Sequence, residues 1–380
     1  MALGARGRRW LIALAVLAGL SALGAWWVNR QLEPQRLTAW VLGAAGKSLD
    51  LDLRFEGTPD YAFKPEPRLL IPNLQVRNRS DGKLLVSAAR AEISLPWNTL
   101  TGGKPVITRI ELDQPVLDIP ELRRWLAARP KVPFELPTLT RGMRVSAGTL
   151  DDDGYRISQF ALDLPHLKAG DPAQASVSGT FTQGQTIVEF ATRIRMATPG
   201  LQSDFTLDGS GTFKQQPQPL PFKLQMAGRF LSDDAGFSLD ADSLQLDGAS
   251  PLPSLSGKAQ LKLAERMQFS LDAVLLEWPK DWPALPQPLA ANSGNLPLRL
   301  SYLGKSDLSD PLSLNLVRDA TRLQASLRVP QIQQWLDAPA GSPLPPLNAT
   351  LDTPKLEMDG IELEGVQVEI RDDVPAAPSP

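Results

Sequence analysis

The sequence predicts a mainly β protein: one long antiparallel sheet with a few short helices, plus one N-terminal transmembrane helix. Three observations carry this reading. Apolar and polar residues alternate at period two through most of the chain beyond residue 140, which is the period of a strand with one apolar and one polar face. Proline and glycine make up 63 of the 380 residues and recur as punctuation, as many short strands and turns require. An uninterrupted apolar run lies close to the N-terminus.

That run is Trp10 to Val28, 19 uncharged residues preceded by Arg6, Arg8 and Arg9. As a helix it rises about 28 Å, close to the hydrocarbon thickness of a bilayer. The arginines place the N-terminus on the cytoplasmic side. Trp10 at one end and Trp26 and Trp27 at the other suit the two interfacial belts. A cleaved signal peptide is the competing reading, but its apolar region runs only about 7–15 residues. The expectation is an uncleaved, single-pass anchor with the bulk of the chain exported.

Residues 32–46 read as a short amphipathic helix with Leu32, Leu37, Trp40 and Val41 near one face, closed by Gly46 as a C-cap. The alternation then takes over. Val188, Phe190, Thr192, Ile194 and Met196 alternate with Glu189, Ala191, Arg193 and Arg195. Leu220 to Phe230 keeps one apolar parity over six positions. Asp151–Gly154, Gln183–Gly184, Asp233–Asp234 and Ser306–Asp307 read as hairpin turns. Without helical crossovers the sheet is expected to be an antiparallel meander, and about twenty strands at about 4.8 Å each extend on the order of 90 Å.

Two helical signatures interrupt the strands. Pro120 to Ala128 and Pro330 to Ala338 share the pattern Pro-x-[Leu/Ile]-x-x-Trp-Leu-x-Ala, 210 residues apart, as if a strand–helix unit were used twice. Trp125 and Trp335 within them read as helix-to-sheet packing. The Pro-rich stretches 128–137 and 279–288 are seams. The chain thus divides into a tip and anchor at 1–30, a β region with a short helix at 31–128, an antiparallel β-groove region at 129–371 and a disordered tail at 372–380.

Composition excludes most chemistry. There is no cysteine and one histidine, His166, so disulfides, zinc ribbons, thiol nucleophiles and His-based metal clusters are ruled out. No Gly-x-Ser-x-Gly elbow accompanies His166, and Gly102-Gly103-Lys104-Pro105 lacks the phosphate-loop frame. Asp151-Asp152-Asp153 lacks calcium-loop spacing and reads as a turn. Net charge is −3 overall and −7 beyond the first thirty residues, with none of the clustered basic charge a nucleic-acid binder needs. The expectation is a protein that is no enzyme, uses no cofactor and holds no metal.

The order of features over the first 120 residues resembles the N-terminal region of AsmA-like proteins of the Gram-negative envelope. After the anchor and short helix come Leu49-Asp-Leu-Asp-Leu-Arg-Phe-Glu-Gly57, Pro67-Arg-Leu-Leu-Ile-Pro-Asn-Leu-Gln-Val-Arg-Asn78 and Leu84 to Leu95, then the most specific piece, Ile110-Glu-Leu-Asp-Gln-Pro-Val-Leu117. The resemblance implies a place among the repeating β-groove proteins, relatives of TamB and YhdP, in which a long antiparallel sheet is curled into a taco-like groove with an apolar inner face that carries phospholipid or supports outer-membrane biogenesis. It also implies that the anchor is in the bacterial inner membrane, with the N-terminus cytoplasmic and the bulk of the chain in the periplasm. Type II secretion protein N, with the same single-anchor all-β plan, also fits. That alternative implies a structural subunit of a secretion machine with no lipid cargo.

The candidate lining of such a groove is Phe181, Phe190, Phe205, Phe213, Phe222, Phe230, Phe237 and Phe269. Their partners would be phospholipid acyl chains at the inner membrane, with envelope or secretion proteins beside them and no nucleic acid. Period two by itself leaves a second architecture open, a closed β-sandwich in which two such faces cover each other.

Overall fold

The computed structural model describes residues 38, 42–43, 46–47, 49–62, 64, 66–97, 107–128, 136–215, 218–233, 236–282, 295–305, 307–337, 346–358 and 361–372. The anchor with Trp10, Trp26 and Trp27, most of the 32–46 helix, most of both Pro-rich seams and all but the first residue of the tail lie outside them. Twenty strands form a mixed sheet, and the chain divides into two compact units: Met1–Pro130 with Val145–Leu150, and Lys131–Arg144 with Asp151–Pro380.

The first unit contains β1 (Leu51–Phe55), β2 (Asp60–Ala62), β3 (Arg68–Asn78), β4 (Leu84–Ser94), β5 (Arg109–Asp113), β6 (Val116–Asp118), the helix α1 (Ile119–Ala128) and most of β7 (Met143–Asp151). β3 is its centre, with β1 and β2 on one edge and β4 on the other. Leu69 and Ile71 point into the core, and then the parity shifts to Leu74 and Val76. Asn73 makes the change at φ 45°, a left-handed conformation that asparagine tolerates, and the register against β4 is kept, with Pro72 opposite Arg90 and Leu74 opposite Ala88. The Asn73 side-chain amide donates to the Glu56 carbonyl at 3.2 Å.

Two expectations are corrected here. Gly46 does not close the first helix, because Gly46, Lys47 and Leu49 are still helical and Asp50, at φ 52°, makes the exit. Glycine at 46 serves a close approach instead: a Cβ there would stand 2.7 Å from the Leu51 carbonyl oxygen. Nor is the sheet wholly antiparallel. The Gln114 N–H bonds the Ser146 carbonyl at 2.8 Å and the Thr149 N–H bonds the Pro115 carbonyl at 2.7 Å, so both strands advance in the same sense. The crossover this demands is α1 with the segment after it. Asp118 caps that helix by accepting the Glu121 N–H at 2.8 Å.

The second unit is an antiparallel meander of β8 (Arg156–Leu164), β9 (Ala173–Gln183), β10 (Thr186–Met196), β11 (Gln202–Gln215), β12 (Gln218–Asp233), β13 (Gly236–Gly248), β14 (Ser254–Leu263), β15 (Met267–Glu277), β16 (Leu296–Gly304), β17 (Leu312–Arg318), β18 (Thr321–Leu327), β19 (Leu347–Met358) and β20 (Ile361–Ile370). Each strand pairs with its neighbours in sequence. The second helix, α2 (Val329–Asp337), lies in the connection between β18 and β19, which pair antiparallel. The repeated Pro–Trp–Leu signature therefore forms a helix both times but serves a parallel crossover once and an antiparallel connection once.

Candidate functional site

Register converts the alternation into a surface. In the second unit one cross-strand row reads Ala175, Ile194, Leu207, Met226, Leu244, Gly257, Ala273, Leu298, Leu316, Leu323, Leu351 and Val368. The next row on that face reads Ala173, Met196, Phe205, Gly228, Ala241, Ala259, Leu271, Leu300, Leu314, Ala325, Ala349 and Ile370. Neither row holds a polar side chain across the 12 strands β9 to β20. The opposite face carries rows such as Asp204, Arg229, Asp240, Gln260, Ser270, Ser301, Ser313, Ser326 and Asn348, with ion pairs such as Arg195–Asp208 at 3.1 Å and Arg299–Asp272 at 3.0 Å.

A one-residue bulge in β13 preserves this division. Ala241 pairs Ala259 and Leu244 pairs Gly257, so Asp242 and Ser243 are taken up between them and Leu244 returns to the apolar face. Without the bulge every residue of β13 beyond it would change sides.

All eight phenylalanines expected to line a groove fall on the apolar face. Phe181 and Phe213 both pair Val188; Phe190 and Phe222 both pair Gly211; Phe205 pairs Met196; Phe230 pairs Leu239; Phe237 and Phe269 pair Leu263 and Leu261. Their exposure differs: Phe205 is buried at 6% and Phe237 is open at 37%. Phe230 and Phe237 approach with ring centroids 6.2 Å apart, and Tyr155 stacks on Phe181 at 5.5 Å.

Coverage of the face changes along the sheet. From β9 to β12 its apolar residues are half-buried, with Phe205 and Ala173 the buried members. From β13 onward a closed core forms around Leu255, Leu271, Leu275, Leu296, Leu298 and Leu316, with Leu275 and Leu316 at 1% exposure. At β20 the face opens again, where Val368 is 37% exposed. The phenylalanine list missed this closed part because its residues are leucines and alanines. The signal for them is the same parity read without regard to residue size.

Between β9 and β13 the apolar face carries no ionisable side chain. Its polar residues lie at strand ends (Gln183, Thr186, Ser203, Gln218, Ser232), except Thr192, whose hydroxyl already donates to the Val177 carbonyl at 3.3 Å. The middle of the face therefore offers nothing to hydrogen-bond a ligand. Elsewhere, His166 sits exposed at a strand end with Nε2 2.8 Å from the Pro172 carbonyl oxygen, and Trp125 donates from its indole N–H to the Leu49 carbonyl at 3.3 Å. Asp152 to Tyr155 form a tight turn closed by a 2.9 Å backbone bond. Among the described residues no group of three His, Asp or Glu side chains is placed to hold a metal ion.

Compared with protein-family models, curated proteins and solved structures, the chain finds no match.

Proposed function

We propose that this chain is an AsmA-like, inner-membrane-anchored periplasmic protein that holds phospholipid by its acyl chains on the apolar face of its second unit, without covalent chemistry, in support of outer-membrane biogenesis. The observation that carries the reading is the half-buried apolar face of β9 to β12, whose middle lacks both charge and free hydrogen-bonding groups. β9 and β10 are 11 residues long, and four strands at these spacings cover roughly 37 by 14 Å, about 500 Å².

The chemistry of the face selects its occupant. A peptide laid there would leave its own N–H and C=O groups unpaired against hydrocarbon. An acyl chain needs no partner and gains about 0.8 kcal/mol for each CH₂ withdrawn from water. The headgroup stays wet beyond the strand ends, where the polar residues of this face lie. A structural subunit of a secretion machine, like type II secretion protein N, is the second reading. It is favoured by the edge strand β20, whose exposed Leu363 and Val368 sit on a strand hydrogen-bonded on one side to β19.

The test is lipid extraction and mass spectrometry of the purified full chain beside Phe222→Asp. Because the anchor also carries lipid, the difference between the two proteins is the readout. Phospholipid in excess of the variant supports the reading, and equal lipid in both defeats it.

A further inference from the structure

Resting on the lipid reading above, we infer that cargo occupies β9 to β12 alone and that the same face from β13 to β19, where ten buried residues form one cluster, is a closed stop. This chain is then a holder with a bounded seat for acyl chains, and not a conduit along its whole sheet. The two parts belong to one continuous apolar face, yet differ in coverage. On β10 to β12, Ile194, Leu207 and Leu224 are half-buried and stand outside the cluster, whose edge is met by Met226. In the same rows on β14 to β17, Leu255, Leu275, Leu298 and Leu316 are buried in one cluster.

A latch holds the closed part shut. Trp278, just beyond β15, packs on the cluster and meets Trp282 edge-on, with ring centroids 5.0 Å apart. The Trp282 indole N–H donates to the Pro251 carbonyl at 2.9 Å, and Ser250 donates to Asp281 at 2.6 Å, so the β13–β14 turn is tied to the segment after β15. For a tail to slide past, this latch and a cluster of ten buried residues would have to open together. The half-exposed side chains of β9 to β12 move aside one at a time, as partly solvated side chains do.

The experiment replaces leucine by photo-leucine throughout the full chain. The near-isosteric replacement leaves packing intact, and irradiation with phosphatidylethanolamine vesicles traps whatever lies against each leucine. Peptide mapping then locates the lipid adducts. The expected result is adducts at Leu207, Leu220 and Leu224, at least tenfold over those at Leu275, Leu298 and Leu316. Adducts of equal yield on both groups overturn the bounded seat while leaving the lipid reading standing. Adducts on neither group, with those of the anchor present, overturn the lipid reading itself. A Trp282→Phe chain supplies the control: loss of the latch extends adducts to Leu275 if the latch closes the stop, and an unchanged map removes the latch from the argument.

Discussion

The ring of Phe222 lies across Gly211: a Cβ built on Gly211 would stand 2.5 Å from the ring's Cζ. Phe190 lies over Gly179 in the same way, with 3.3 Å between the corresponding atoms. The row through these residues reads Gly179, Phe190, Gly211, Phe222, Gly248 from β9 to β13. Each ring shields the bare backbone of a glycine on the neighbouring strand, a pairing known to rescue glycine in sheets.

Gly211→Ala is therefore expected to destabilise the second unit. The added methyl meets the Phe222 ring and also the Glu189 carbonyl oxygen at 2.5 Å, and backbone cannot swing away as a ring can. Overpacking of this kind costs about 1–3 kcal/mol. Urea denaturation followed by tryptophan fluorescence measures it, and an unchanged midpoint would mean the ring moves freely.

Charge on the two faces should act oppositely. Phe205→Asp and Phe222→Asp place a carboxylate on a face without polar partners, and both are expected to lose bound lipid; Phe205→Asp, at a buried position, also lowers stability by several kcal/mol. Lys223→Asp, one residue away on the polar face, is expected to keep its lipid within a factor of about two, since surface substitutions stay within about 0.5 kcal/mol. Equal losses from both faces would refute the orientation.

Lipid retention should be insensitive to pH and salt. No titratable group lies on the face from β9 to β13, so retention of a zwitterionic lipid is expected to be flat from about pH 5 to 9, between the ordinary carboxylate and lysine ranges. A steep pH profile in a vesicle-transfer assay would put an ionisable side chain at the seat.

The first unit has its own test. Glu92 is buried at 4% exposure, and Arg68 bonds it at 2.8 Å, with Arg90 farther away at 4.0 Å. Arg68→Met is expected to cost about 1–3 kcal/mol by leaving a buried carboxylate short of its donor. In Arg68→Met with Glu92→Gln the loss should shrink, because the uncompensated charge is gone. Thermal melts of the single and double variants read this coupling.

Acid should loosen one turn of the second unit. Hydrogen bonds from the Ser309 hydroxyl and N–H hold the Asp307 carboxyl below its ordinary value. A depressed carboxylate stabilises the fold above its unfolded pKa of about 3.9 and loses that contribution as pH falls through the folded value. Hydrogen exchange of residues 307–310 should therefore quicken below about pH 4, and no change there would mean that these bonds do not hold the turn.

Much of this architecture was legible in the chain. Leu220 to Phe230 keeps one parity for six residues, and no other backbone period puts those side chains on one face. The eight phenylalanines could be assigned to that face before any pairing was known. The parallel junction at β7 was not legible, because the helix that makes its crossover has the same Pro–Trp–Leu signature as α2, which makes none. The Gly46 exit failed for a similar reason. A glycine near a helix end signals a cap, but here the lack of a side chain serves close packing against Leu51.

What the sequence determined alone is which side of each strand is apolar, since that depends only on alternation along a short segment. Which of those apolar residues are covered was decided by tertiary structure. Leu207 and Leu298 lie in the same cross-strand row with the same chemistry, and one is half-exposed while the other is buried. Burial belongs to neighbours distant in sequence: the leucines of β14 to β19 close on one another under the Trp278–Trp282 latch, and those of β9 to β12 have no such cluster over them.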